Sequence, residues 1–170
     1  MNIRLLALVG LAISFALPTY AQQTNTPDPQ LRQQLDAFVK GEDEAYNKND
    51  AAAIAATFTK DAVQVTPEGP IYGREAIEKY YSDLLQKIHF SNHITKVDPD
   101  SPHAIGATGN DMWATAEWNV TIQGQSGGPI QLKGYWGAIK AREGDTWKTR
   151  MGCYNITPAP AATTKTTETK

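Results

Sequence analysis

Asn49-Asp50-Ala-Ala-Ala-Ile-Ala-Ala-Thr-Phe58, Lys60-Asp-Ala-Val63, Pro67-Glu-Gly69 and Tyr72-Gly-Arg-Glu-Ala-Ile77 together decide the fold. Asp50 can accept a hydrogen bond from the free N–H of Ala52 or Ala53, so it caps a short helix from Ala51 to Phe58. Small alanines let that helix lie close to a neighbour, with Ile54 and Phe58 on one side. The hydrophobic period then changes to two over Ala62 to Thr66, a strand stopped by Pro67-Glu-Gly-Pro70. Gly73 closes the loop. Beyond it Ile77, Tyr80, Tyr81, Leu84, Leu85 and Ile88 recur at helical spacing, the strongest amphipathic signal in the chain.

Upstream, Asp28 and Pro29 suit the start of a helix running to Lys48. Leu31, Leu35, Phe38, Val39, Ala45 and Tyr46 form its apolar face. Glu42 lies four residues from both Phe38 and Tyr46 and points with them. A carboxylate in an apolar stripe sits either at a wet rim or inside a pocket with a partner. Asp43 and Glu44 read most simply as a solvated charge run. Downstream the pattern is all strand: 90–97, 111–123, 130–142 and 146–156, with Gly/Pro-rich turns between. On the second of these, Met112, Ala114, Ala116, Trp118, Val120 and Ile122 share an apolar face expected to meet the helices. Trp113 lies on the other face, either as a partly exposed ring or as part of a subunit contact. Helices first and a mainly antiparallel sheet after them make an α+β architecture.

The 170 residues divide by composition. Residues 1–21 read as a signal peptide: Arg4, an apolar run of about 13 residues too short to span a bilayer comfortably, and small residues at Thr19 and Ala21. The mature chain would start at Gln22, exported to the periplasm or secreted, with no membrane attachment after cleavage. No Cys follows that site, which argues against a lipid anchor; an uncleaved anchor is the other reading. Residues 22–27 form a linker, 28–156 the domain, and 157–170 a Thr/Pro-rich tail expected to be disordered. The lone Cys153 excludes an internal disulfide and reads as a small buried residue. A net charge of −2, with no Lys/Arg stripe, gives no sign of a nucleic-acid partner.

The motifs quoted above, with Trp147-Lys148 and Tyr154-Asn155 in the last strand, strongly resemble the SnoaL-like domains. These belong to the nuclear transport factor 2-like superfamily, which also holds the ketosteroid isomerases. The resemblance implies a cone of three N-terminal helices packed on a curved sheet around a pocket, and commonly a homodimer through the sheet's outer face. It does not give a reaction. Steroid isomerisation needs a carboxylate base and an oxyanion hole of Tyr and protonated Asp. The matching positions fall on Thr66, Glu42 and about Gly137, which cannot supply them. The same alignment makes Glu42 pocket-lining and turns Tyr154 inward, with Tyr135 and Ile139 lining the cavity. Arg150 shares the face of Tyr154, so it looks inward toward Glu42 or outward to solvent. Tyr46, Phe58, Thr66, Tyr72 and Trp118 complete the expected lining.

No metal or other cofactor is expected. His89 and His93 would have zinc-ligand spacing on a helix, but on a strand they stand about 13 Å apart along one face. The expected function is a pocket for a small, partly apolar molecule. One alternative is a cofactor-independent isomerase or hydratase/dehydratase using Glu42 as proton carrier. The other is a non-catalytic dimerising interaction module.

Overall fold

A computed structural model describes residues 28–99, 101 and 103–158. The expected leader and linker, and most of the expected tail, lie outside these residues. The elements are α1 (Pro29–Lys48), α2 (Ala51–Ala56), β1 (Phe58–Thr66), β2 (Gly69–Tyr72), α3 (Arg74–Leu85), β3 (Ile88–Lys96), β4 (Ile105–Thr108), β5 (Asp111–Gly124), β6 (Ile130–Glu143) and β7 (Thr146–Tyr154). Seven strands form one sheet in the order β2-β1-β7-β6-β5-β3, with β4 also paired to β5. Every pairing is antiparallel except β1 with β7. Three helices pack against this sheet, an α+β architecture.

The caps follow the sequence. Asp28 accepts from Gln30 N, Pro29 takes the first turn of α1, and Asp50 accepts from Ala53 N at 2.9 Å. Asn49 ends α1 in the left-handed region (φ 55°), which Asn tolerates. Its side chain then takes a backbone partner on β3, accepting from Phe90 N at 2.7 Å and donating to Phe90 O at 2.9 Å. One residue therefore closes α1 and fixes β3 against it.

Boundaries shift where the chain uses residues differently. Thr57 caps α2, so Phe58 opens β1 rather than closing the helix. The turn after β1 is only Pro67-Glu68; Gly69 and Pro70 already belong to β2, which pairs back with Thr66↔Gly69 and Val63↔Tyr72. Pro70 is tolerated there because β2 is an edge strand. Ile88 belongs to β3, not α3, and β4 was not anticipated.

The inner face of β5 behaves as its alternation implies: Met112, Ala114, Ala116, Trp118 and Val120 are all buried. At one end of the domain Met112, Ala114 and Ala116 pack with Leu35 and Val39 of α1. At the other, Ala45, Ile54, Phe58, Ala62, Ile77 and Tyr81 join the three helices to β1. Burying each large apolar side chain contributes roughly 1.5–3 kcal/mol.

Two bulges reset which residues face inward. In β3 the register jumps between Ser91 and Ile94, with Asn92 at φ 52°. The Asn47 side chain replaces the lost ladder bonds, accepting from His93 N at 2.7 Å and donating to His93 O at 2.9 Å. In β7, Ile139 pairs with Met151 and Lys140 with Thr149, leaving Arg150 as the extra residue. A bulge turns every later side chain to the opposite face.

Candidate active site

Between the helices and the inner face of the sheet lies a cavity of about 250 Å³. That is just under the range of drug-sized pockets. Its wall is mostly aromatic and aliphatic, including Phe58, Leu84, Phe90, Trp118 and Trp136. Against that background the polar groups stand out.

Glu42 projects from α1 into this cavity. It pairs with Lys140 on β6, with Oε2 3.7 Å from Nζ. That is an ion-pair distance, longer than a normal hydrogen bond. Burial raises its pKa above the usual carboxylate range, opposed chiefly by the nearby Lys140 charge. Lys140 is 1% exposed. Its Nζ donates to Thr149 Oγ1 at 3.1 Å and sits 3.7 Å from the centre of the Phe38 ring. Burial lowers its pKa, opposed by Glu42. Each member of the pair is pushed toward its neutral form.

Asp43, the next residue on α1, points away from Glu42 and toward β3. It accepts from His93 Nδ1 at 2.7 Å, Thr95 N at 3.0 Å and Thr95 Oγ1 at 2.9 Å. It is thus a clamp on β3, not part of a solvated charge run. An ionised carboxylate only accepts, so Nδ1 of a neutral His93 carries the proton and Nε2 keeps its lone pair. His93 lines the cavity, and its ring stacks on Tyr46 at 4.4 Å between centroids. The β3 bulge accounts for this: His89 is exposed while His93 is turned inward. The two histidines do not share a face, and no group of residues among those described could hold a metal ion.

Phenols supply the remaining polar lining. Tyr46 and Tyr81 share a hydrogen bond of 2.7 Å, and Tyr80 and Tyr154 approach to 3.4 Å. Burial raises Tyr46, Tyr81 and Tyr154 well above the ordinary phenol value, so they act as donors and not as bases. Trp118 carries a buried indole N–H with no hydrogen-bond partner among the described residues.

Of the residues singled out by sequence, Glu42, Tyr46, Phe58, Trp118 and Tyr154 come together around the cavity. The others do not. Thr66 is buried but spent on the β1–β2 turn, donating to Gly69 O and accepting from Glu68 N. Tyr72 is 68% exposed on the edge strand. Tyr135 and Ile139 face outward because β6 pairs in register with β5, Trp118 opposite Gly134 and Ala114 opposite Ala138, which turns Trp136 and Lys140 inward. Arg150, displaced by its bulge, points outward to Asp111 at 3.5 Å. Cys153 is exposed rather than buried.

Sequence reasoning missed Asp43, Gln64, His93, Lys140 and Thr149. In the structure Ile122 pairs with Ile130, so the phase of β5 carries over to even-numbered residues of β6. That register turns Lys140 inward, opposite Met112.

Helices packed on one face of a curved, mainly antiparallel sheet define an α+β architecture with a polar-studded apolar cavity between the layers. Residues 39–145 match the SnoaL-like domain family model, and the chain belongs to that family. No functionally curated protein matches it significantly. Solved structures share the fold. A ketosteroid isomerase-like protein from Erwinia carotovora atroseptica SCRI1043 aligns with TM-score 0.67 and 14% identity, over 78% of this chain and 99% of that one. A nuclear transport factor 2-like superfamily protein from Salmonella enterica serovar Typhimurium LT2 aligns with TM-score 0.62 and 20% identity, over 80% and 96%. ActVI-ORFA from Streptomyces coelicolor aligns with TM-score 0.60 and 19% identity, over 75% and 97%. At these identities the likeness establishes the nuclear transport factor 2-like fold alone.

Proposed function

We propose that this SnoaL-like domain binds a small, largely apolar molecule in its cavity and moves a proton on it. The chemistry is cofactor-independent, of isomerase or dehydratase type. The observation that carries this reading is His93, held by Asp43, lining the same apolar cavity as Glu42, whose acid form is favoured by burial. His93 Nε2 takes a proton from the bound molecule while Asp43 steadies the imidazolium that forms. Glu42 returns a proton to the oxygen on which charge develops, and the phenols of Tyr46 and Tyr81 donate hydrogen bonds there.

5-Nitrobenzisoxazole is a suitable probe, because its ring opens when a base removes one proton from carbon. Binding is read from tryptophan quenching and turnover from the coloured phenolate. Turnover is expected to exceed that of imidazole at matched pH, and His93→Gln should lower it roughly 10²–10⁴-fold. Equal turnover in the two proteins, with binding intact, would rule out His93 as the base.

A homodimer is the second element of the proposal. On the sheet's outer face Trp113 pairs with Ile139, Ile139 with Met151, Met151 with Val63 and Val63 with Tyr72. This is a continuous apolar row without a charge, and four of its five members are exposed. A two-fold copy of the chain would meet it with the same surface. Sedimentation velocity should give a dimer at micromolar concentration, and a monomer for Met151→Lys with its thermal stability retained. A monomeric wild type would remove the dimer from the proposal.

A further inference from the structure

The acid–base chemistry above does not use Lys140, the most deeply buried ionisable group in the cavity wall. We propose that Lys140 is a nucleophile that forms an imine with a small, uncharged aldehyde taken into the cavity. This rests on the cavity being a small-molecule site, but not on the proton-transfer role of His93.

An ammonium has three donors to satisfy, and at Lys140 Nζ one goes to Thr149 Oγ1 at 3.1 Å while Glu42 Oε2 stands 3.7 Å away. The rest of its surroundings are the rings of Phe38, at 3.7 Å, and Trp136, at 5.1 Å. Burial pushes Lys140 toward the neutral amine even against the pull of Glu42, and desolvation is a recognised way to make a lysine nucleophilic. A merely structural role explains little, because a buried ion pair is commonly no more stable than an apolar replacement. The apolar lining also decides the partner: it suits the uncharged body of an aldehyde and limits the bulk water that would hydrolyse an imine.

Glu42 is placed to complete the reaction. The Nζ lone pair forms the C–N bond while the carbonyl π pair moves onto oxygen, and a proton passes from nitrogen to that oxygen. Glu42 then protonates the hydroxyl of the carbinolamine. The C–O bond breaks, water leaves, and the nitrogen pair forms C=N. The iminium N–H returns its proton to the Glu42 carboxylate. Amine and aldehyde become imine and water, with the acid regenerated and no oxidant or reductant consumed.

The test treats the full chain with benzaldehyde and cyanoborohydride at neutral pH, then locates benzyl groups by peptide mass spectrometry. Lys140 should be tagged at least about tenfold faster than any exposed lysine, because burial pushes it toward the nucleophilic amine. Glu42→Gln should slow that tagging, and Lys140→Arg should abolish it at this position. Tryptophan quenching by benzaldehyde alone reports occupancy of the cavity. Quenching with tags only on exposed lysines would overturn the imine and leave the small-molecule site standing. Neither quenching nor a tag at Lys140 would overturn both.

Discussion

Glu42→Leu should destabilise the protein by about 3–5 kcal/mol, while Glu42→Leu combined with Lys140→Met should restore the wild-type stability or exceed it. The reason is asymmetric. Removing the carboxyl leaves a lysine in an apolar wall with Thr149 as its one hydrogen-bond partner, whereas removing both leaves well-packed hydrocarbon. The pH dependence separates this from simple loss of packing. Lys140 has a folded pKa below its unfolded value of 10.5. It therefore binds fewer protons folded than unfolded, and its contribution to stability improves as pH rises toward 10.5. Glu42 has the opposite sign: its folded pKa lies above the unfolded 4.5, so its contribution worsens as pH rises from 4.5 through the folded value. The deficit of Glu42→Leu, left with Lys140 alone, should accordingly shrink between neutral pH and pH 10, and the double variant should show no such recovery. Urea unfolding at both pH values measures this, provided the m-values agree. A double variant less stable than wild type by more than about 2 kcal/mol would mean that the pair stabilises the fold.

What the sequence yields about this pair illustrates its reach. The stripe of α1 reads correctly because a helix keeps one period over twenty residues, and so Glu42 is found on the cavity side. Lys140 is hidden by its type. Charged residues are seldom fully buried, and nothing local marks one that is, since its partner lies on a helix distant in sequence. Strand phase fails for a different reason. Alternation predicts facing only until a bulge inserts a residue, after which the inference inverts. Arg150 and His93 are both displaced this way, one out of the expected site and the other into it. Asn92, a residue that tolerates its φ of 52°, is the only local trace of the first bulge. Asp43 is missed because its three hydrogen bonds all go to a strand some fifty residues on. The fold rests on local signals that agree with one another, whereas the site rests on long-range pairings and two irregularities.

Asp43→Asn should reduce 5-nitrobenzisoxazole turnover roughly 10²–10⁴-fold, with the loss in kcat and little change in KM. Asn keeps the shape and can still accept from Thr95 through its carbonyl oxygen. Its amide then faces His93 Nδ1 as a donor, so Nδ1 must accept and the ring proton moves to Nε2. The lone pair no longer faces the cavity, and the base is lost without emptying the pocket. A stability loss of about 1–2 kcal/mol should accompany it, because a charge-assisted acceptor of three bonds becomes a neutral one. Thr95→Val is the control. It removes the Oγ1 bond to Asp43 at 2.9 Å but leaves the His93 contact and the Thr95 backbone bond intact. It should cost a similar fraction of stability and leave turnover within a few-fold of wild type. If both variants lost turnover in step with stability, Asp43 would be only a bracket between α1 and β3. If turnover fell for Asp43→Asn alone, the carboxylate would set the tautomer of His93, and the helix that supplies the acid would also orient the base.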